Sequence, residues 1–258
     1  MAASKKDIVF ITGGNTGLGL EIARKLIREH ADRFHVIIGS RTLAKGNAAV
    51  GSLKAEGFDS VETVQVDVTN EECLATAAKT VTERHGRVDV LHVNAGIALD
   101  LNYTDRKEWP LSRLLMTSME TNVAGAAATV ENFSPLLEKA ENPRVVFMTS
   151  GAGSVQLAHD HVVLSLNWPS YSVSKAALNM LMMHYFHKFP QWKVNACAPG
   201  FRATNLNNFG EGSPGGVPPG PVEDGAVNAV RLSLLGKDGE RGTFTQLVGK
   251  DGHGEIPW

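Results

Sequence analysis

Along the chain, short apolar runs alternate with longer stretches in which apolar residues recur at helical spacing. DIVFIT (7–12), FHVIIGS (34–40), VETVQVD (61–67), VDVLHVN (88–94), RVVFMTS (144–150), KVNACAP (193–199) and FTQLV (244–248) read as strands. Most are nearly continuous in apolar character, as expected of strands covered by helices on both faces. Segments 17–30, 42–56, 70–85, 112–139, 171–189 and 222–235 read as helices. The repeating strand–helix order predicts an α/β fold, a doubly wound parallel sheet of about seven strands with helices on both faces. No short-period repeat or linker interrupts it, so residues 1–258 are expected to form a single domain. Only GEGSPGGVPPGP (210–221) breaks the rhythm, because its glycines and prolines exclude regular structure. It follows the sixth strand, on the carboxyl side of the sheet, and is expected to belong to a substrate loop or lid around 201–221.

Composition narrows the picture little. Hydrophobic residues make up 43% and charged residues 20%, an ordinary globular balance. The formal net charge of −2 gives no reason to expect a nucleic-acid partner. No apolar run reaches the length of a membrane span, so no membrane partner is expected. Cys73 and Cys197 each lie in an apolar pattern and read as reduced core thiols. The opening MAASKKDIVFITGG is too short for a signal sequence, and the closing EIPW matches no targeting signal. A cytoplasmic protein is the expectation.

The first chemical signal is ITGGNTGLGLEIARKLI, which begins in a strand and ends in a helix. Gly13, Gly17 and Gly19 fall at the turn, with Asn15, Thr16 and Leu18 between them. Glycines there let the backbone approach a pyrophosphate, and the free N–H groups of the following helix favour the phosphate charge. This strand–glycine–helix context predicts dinucleotide binding. A carboxylate at the end of the second strand would hold the ribose of NAD. In IIGSRTLAKG that place is taken by Ser40, and Arg41 follows. A guanidinium there suits a 2′-phosphate, so NADP(H) is the expected cofactor.

The second signal is YSVSK (171–175), which puts a tyrosine and a lysine one helical turn apart on one face. A cation ~4–5 Å from a phenol at an effective dielectric of ~20 favours the phenolate by about 3–4 kcal/mol, or roughly 2–3 pKa units. That would bring Tyr171 within reach of neutral pH as an acid/base. TGGNTGLG, NAG (94–96), YSVSK and APG (198–200), in this order, resemble the short-chain dehydrogenase/reductase family over essentially the whole chain. The glycine pattern is that of its compact single-domain branch; the epimerase-like branch would need a glycine where Thr16 stands.

The resemblance implies a Rossmann-type sheet and a definite set of site residues. Tyr171 would be the general acid/base. Lys175 would also hold the nicotinamide ribose, and Ser150, chosen from Thr149, Ser150 and Ser154, would polarise the substrate carbonyl. Asn122 would hold a water that links the lysine to solvent. Asp67 and Val68 would contact the adenine; Asn94, Ala95 and Gly96 would line the cofactor, as would Pro199 and Gly200; Thr204 would reach the nicotinamide amide. Two departures stand out. Ser150 and Tyr171 are separated by several residues more than is usual, so LAHDHVVLSLNWPS (157–170) must loop out or add a small helix. That enlarged loop is similar to the one in monomeric carbonyl reductases and leaves the choice between monomer and homo-oligomer open. Thr16 also stands where many NADP-binding members carry a basic residue, which leaves Arg41 most of the 2′-phosphate recognition.

The implied function is NADPH-dependent, reversible reduction of a ketone or aldehyde to an alcohol. Reduction of an imine or a C=C bond, and a cofactor-binding regulatory protein without turnover, are the alternatives. HDH (159–161) offers two imidazoles flanking an aspartate and HYFH (184–187) two imidazoles at i, i+3, but no cysteine or further acid completes either set, so no metal is expected. Tyr103, Trp109 and Trp168 are candidates to line the pocket of a bulky, flat substrate. GEIPW and the general layout look like fungal relatives of carbonyl reductase, some of which serve secondary metabolism.

Overall fold

The computed structural model describes residues 6–100, 108–160, 168–210, 218–249 and 252–258. Seven strands run parallel: β1 (Asp7–Thr12), β2 (Phe34–Ser40), β3 (Val61–Gln65), β4 (Val90–Val93), β5 (Arg144–Met148), β6 (Lys193–Ala198) and β7 (Phe244–Val248). The sheet order is β3-β2-β1-β4-β5-β6-β7-β8, so the chain winds outward from β1 in one direction and then from β4 in the other. Each predicted strand is present. The eighth, β8 (Gly252–Glu255), pairs antiparallel with β7 and was not foreseen, since GHGE carries no apolar pattern.

Alternate residues of β1 show how the sheet is covered. Phe10 joins Ile37, Val64, Leu74, Val130 and Phe133 on one face, beneath α3 (Glu71–His85), α5 (Gly125–Leu137) and α7 (Pro169–Lys188). Val9 and Ile11 join Ile22, Leu26, Val36, Leu53 and Ala229 on the other, beneath α1 (Gly17–Glu29), α2 (Leu43–Ala55) and α8 (Val222–Ser233). Both faces of the central strands are therefore dry, and their apolar runs are continuous for that reason.

Local chemistry sets the element ends. Asn70 caps α3 by accepting from Cys73 N at 2.8 Å, Glu71 and Glu72 fill its first turn, and Gly86 ends it at φ +76°. The helix predicted over 112–139 is not continuous. α4 (Leu111–Met119) passes through one π-helical turn, Glu120–Ala124, into α5. Of the two ways expected for the stretch before Tyr171, looping out or adding a small helix, a short helix, α6 (Val155–His159), reaches into its start, and residues 161–167 lie outside the described residues. Among the described residues no helix is long and apolar enough to cross a membrane.

Candidate active site

The predicted residues gather along the carboxyl edge of the sheet, where β1, β4, β5 and β6 end. The crossover between β1 and β4 lies there too, because the two are neighbours in space while their connections leave in opposite directions.

The glycine turn is shaped by contact as well as by conformation. Gly13 and Gly17 have φ of +66° and +52°. A Cβ on Gly19 would stand 2.6 Å from both Asn94 Nδ2 and Gly13 O, so α1 sits against the turn closer than any side chain would permit. Asn94 Nδ2 donates to Thr12 O at 2.8 Å, and Thr12 Oγ1 accepts from the backbone N–H groups of Asn94 and Ala95 at 3.0 and 3.1 Å. Thr12 thus joins the ends of β1 and β4, a role not assigned to it from the sequence although it opens the TGG motif. Thr16 occupies the N-cap of α1 without a side-chain cap bond. Ser40 is buried and donates to Thr42 O at 2.8 Å, whereas Arg41 is exposed. Asp67 Oδ1 accepts from the backbone and hydroxyl of Thr69, next to buried Val68. Thr204, on the loop after Pro199 and Gly200, lies 3.6 Å from where a Cβ on Gly17 would be.

The second half of the site hangs on α7. Tyr171, Lys175 and Asn179 recur every four residues on its buried face. Lys175 Nζ donates to Met148 O at 2.8 Å and stands 5.6 Å from the centre of the Tyr171 ring. Thr149 Oγ1 donates to Asn179 Oδ1 at 2.6 Å, and Asn179 Nδ2 donates to Gly153 O. A Cβ on Gly153 would fall 2.6 Å from the Lys175 carbonyl carbon, so the turn after β5 rests directly on the helix backbone. The three hydroxyls at that strand end are thereby separated. Thr149 is buried against Asn179, and Ser154 caps α6 and donates to Pro257 O. Ser150 is partly exposed and within side-chain hydrogen-bonding reach of Tyr171.

Asp100 is a residue of this candidate site that sequence reasoning missed. It is buried, and its Oδ2 accepts from Tyr171 N and from Ser170 Oγ, each at 2.7 Å. Tyr171 is the third residue of α7, so this carboxyl group caps the helix at the tyrosine itself. An acid ending the apolar NAGIALD carries no periodic signal; only the fold brings it to α7. Asn122 lies in the π turn. Its Oδ1 accepts from Ile97 N, and its Nδ2 donates to Ile97 O and Ser174 Oγ. The side chain therefore braces the loop after β4 against α7.

Trp168 and Phe201 form an aromatic wall beside Tyr171. The Trp168 ring meets Tyr171 edge-on at 6.5 Å and lies 6.4 Å from Phe201. Trp109 packs under Arg113, 3.7 Å from the guanidinium carbon, and Tyr103 lies outside the described residues. His159 is exposed beside Asp160, while His161 falls outside the described residues. So does the middle of the 201–221 loop, residues 211–217. The base of that loop is closed by Ala203 N donating to Gly220 O and Gly220 N to Phe201 O, each at 3.0 Å.

A family model described as short chain dehydrogenase matches residues 7–211. The chain belongs to the short-chain dehydrogenase family. It is 54% identical to the short-chain dehydrogenase/reductase ATR10 of Stachybotrys chlorohalonatus, over 99% of this chain and 95% of that protein. It is 26% identical to salutaridine reductase of Papaver somniferum over 93% of this chain and 94% of that one. Among solved structures it resembles the NADPH-bound carbonyl reductase from chicken fatty liver, with a TM-score of 0.79 and 25% identity over 98% of this chain and all of the other. This short-chain dehydrogenase is accordingly an oxidoreductase with a small-molecule substrate.

The electrostatics of its site differ from the expectation for YSVSK. Burial pushes the Tyr171 phenol up to about 12, against a smaller downward pull from the Ser150 hydroxyl. Burial likewise brings the Lys175 amine down to about 8. Both groups are buried, and desolvation penalises the charged form of each. In this short-chain dehydrogenase both groups are therefore protonated at neutral pH: a phenol with its proton in place and a cationic amine beside it.

Proposed function

We propose that this oxidoreductase reduces a ketone or aldehyde to the alcohol with NADPH, reversibly, with Tyr171 as the proton donor. The observation that carries the reading is the convergence of Tyr171, Lys175 and Ser150 at the carboxyl edge, the phenol protonated, the amine cationic and the aromatic wall alongside.

The residues present fit the dinucleotide. Gly13 and Gly17 take positive φ, and without a side chain at Gly19 the amino end of α1 lies directly against Gly13 and Asn94, the form a phosphate-binding turn requires. The first turn of α1, uncapped by Thr16, presents free N–H groups to it. Arg41 is exposed at the end of β2, where no described carboxylate pairs with it, and suits a 2′-phosphate. Asp67, Val68, Asn94, Ala95 and Gly96 would line the adenine and ribose side, with Pro199, Gly200 and Thr204 across from them. Relatives of the same fold with NADPH bound support this choice. NADPH, when bound, supplies the hydride that reduces the carbonyl carbon.

The chain's own residues handle the oxygen. Ser150 donates a hydrogen bond to the carbonyl, and Tyr171 transfers its proton as negative charge develops there. Lys175 stabilises the phenolate left behind and would hold the nicotinamide ribose. Asn122 keeps the loop after β4 in register with α7. Trp168 and Phe201 favour a planar, apolar carbonyl compound over a small alcohol or aldehyde.

The test is NADPH consumption against aldehydes, cyclic ketones, quinones and aryl ketones, in the wild type and in Tyr171→Phe. Turnover should fall by at least about 10²–10⁴-fold in the variant, with NADPH fluorescence enhancement retained. Wild-type rates in Tyr171→Phe would refute the mechanism.

A further inference from the structure

At the opposite edge of the sheet, three donor-bearing side chains converge. His35 is the second residue of β2, Glu62 the second of β3, and His85 the last of α3. Ile37 is in register with Glu62, so His35, two residues earlier, shares the face that α3 covers. His85 reaches the same point from above, because α3 ends there at Gly86. Glu62 Oε1 receives both imidazoles, His35 Nε2 at 3.1 Å and His85 Nε2 at 2.5 Å, and the three donor atoms lie within 4.8 Å of one another. The other carboxylate oxygen, Oε2, is held by Arg84 Nη1 at 2.7 Å. Side-chain exposures of 25%, 26% and 17% for His35, Glu62 and His85 leave a path for an ion.

We propose that His35, Glu62 and His85 form a divalent transition-metal site, best suited to Zn²⁺, that staples the edge strand β3 and its neighbour β2 to the end of α3. Two imidazoles and one carboxylate are a ligand set that zinc accepts, with water completing a tetrahedron. Ligand atoms around a tetrahedral zinc stand roughly 3.3 Å apart, so side-chain adjustments of about an ångström bring the three donors into place. The carboxylate is presented through one oxygen, because Arg84 fixes the other, and such outer partners orient a metal ligand. Without an ion, two donors compete for a single oxygen; a cation among them would turn that crowding into three coordinate bonds. The three ligands come from separate elements, so binding would be tied to the folded state. The site lies at the amino ends of the strands, away from Tyr171, and its validity does not depend on the proposed reaction.

The test uses untagged full-length protein freed of metal with a chelator, then titrated with Co²⁺ and with Zn²⁺. One equivalent of Co²⁺ should bind, giving the visible absorption of a tetrahedral nitrogen–oxygen site without thiolate charge transfer. Zn²⁺ should displace it and raise the melting temperature by a few degrees. His35→Gln and His85→Gln should each abolish saturable binding, and Glu62→Gln should weaken it more than about tenfold. His184→Gln, at the exposed pair on α7, should change nothing. Melting curves without metal confirm that each variant is folded, and either histidine variant alone suffices for the comparison. Absence of saturable binding in the wild type overturns the proposal, as does binding that persists in a folded histidine variant.

Discussion

Asp100 offers a sharp test of how the tyrosine is held in place. Replacing it with alanine removes an acceptor that takes Tyr171 N and Ser170 Oγ, both at 2.7 Å, inside a buried pocket. The bond lost at the helix cap is that of the buried Tyr171 N–H, and leaving this group without a partner costs about 1–3 kcal/mol. The Ser170 hydroxyl also loses its acceptor, at about 1 kcal/mol, and keeps only the bond it accepts from Ser118 Oγ. A destabilisation of roughly 2–4 kcal/mol should lower the melting temperature by about 5–15 °C. The same loss frees the first turn of α7, and displacing a catalytic group by about an ångström costs about 10²-fold in rate. Asp100→Ala should therefore lower kcat by about one to two orders of magnitude while the Kd for NADPH, read by fluorescence, stays near the wild-type value. Asp100→Asn keeps an acceptor and loses only the charge at the helix end, worth about 0.3–1 kcal/mol. It should stay within a few-fold of wild type. Unchanged kcat and melting temperature in Asp100→Ala would refute the capping argument; equal damage in both variants would show that charge, and not the cap, is what matters.

Other expectations follow from single contacts. Gly153→Ala sets a Cβ against the backbone of Lys175, which cannot rotate away, and should cost about 1–3 kcal/mol and reduce kcat as Ser150 is displaced; chemical denaturation and steady-state kinetics would measure both. Arg41→Ala should raise KM for NADPH far more than for NADH, and an equal change for both cofactors would sink the 2′-phosphate assignment. The Lys175 amine sits at about 8 in the folded protein and at its ordinary value near 10.5 when unfolded. Between these values the unfolded chain binds the extra proton, so this group's contribution to stability rises as pH rises. Lys175→Met should remove that slope, seen as the difference from wild type in urea midpoints from pH 7.5 to 10; parallel curves would contradict it.

The parallel strands, their alternation with helices, the glycine turn and the Tyr171–Lys175 face were legible in the sequence because each rests on residues near one another in the chain. Periodicity reports burial on both sheet faces, and glycine reports backbone freedom whatever the distant surroundings. β8 escaped because GHGE has no apolar face; its place is set by β7 and by Ile256, which docks beside it. The break of the long helix at Glu120–Ala124 escaped because a π turn leaves the apolar pattern nearly unchanged. The resemblance had already singled out Ser150 among the three hydroxyls after β5, and the fold supplies a physical reason, since Thr149 and Ser154 are occupied by Asn179 and Pro257. The acidity of the pair also lay beyond the sequence. Spacing alone gives the attraction between a phenol and an amine, but the cost of stripping their water depends on everything packed around them, and here that cost prevails. Local pattern, then, pointed to the glycine turn and to the Tyr171–Lys175 face, and the family resemblance to the other candidate residues; Asp100 beneath the tyrosine and the dry surroundings of the lysine come from residues far apart in the chain, which only tertiary packing brings into contact.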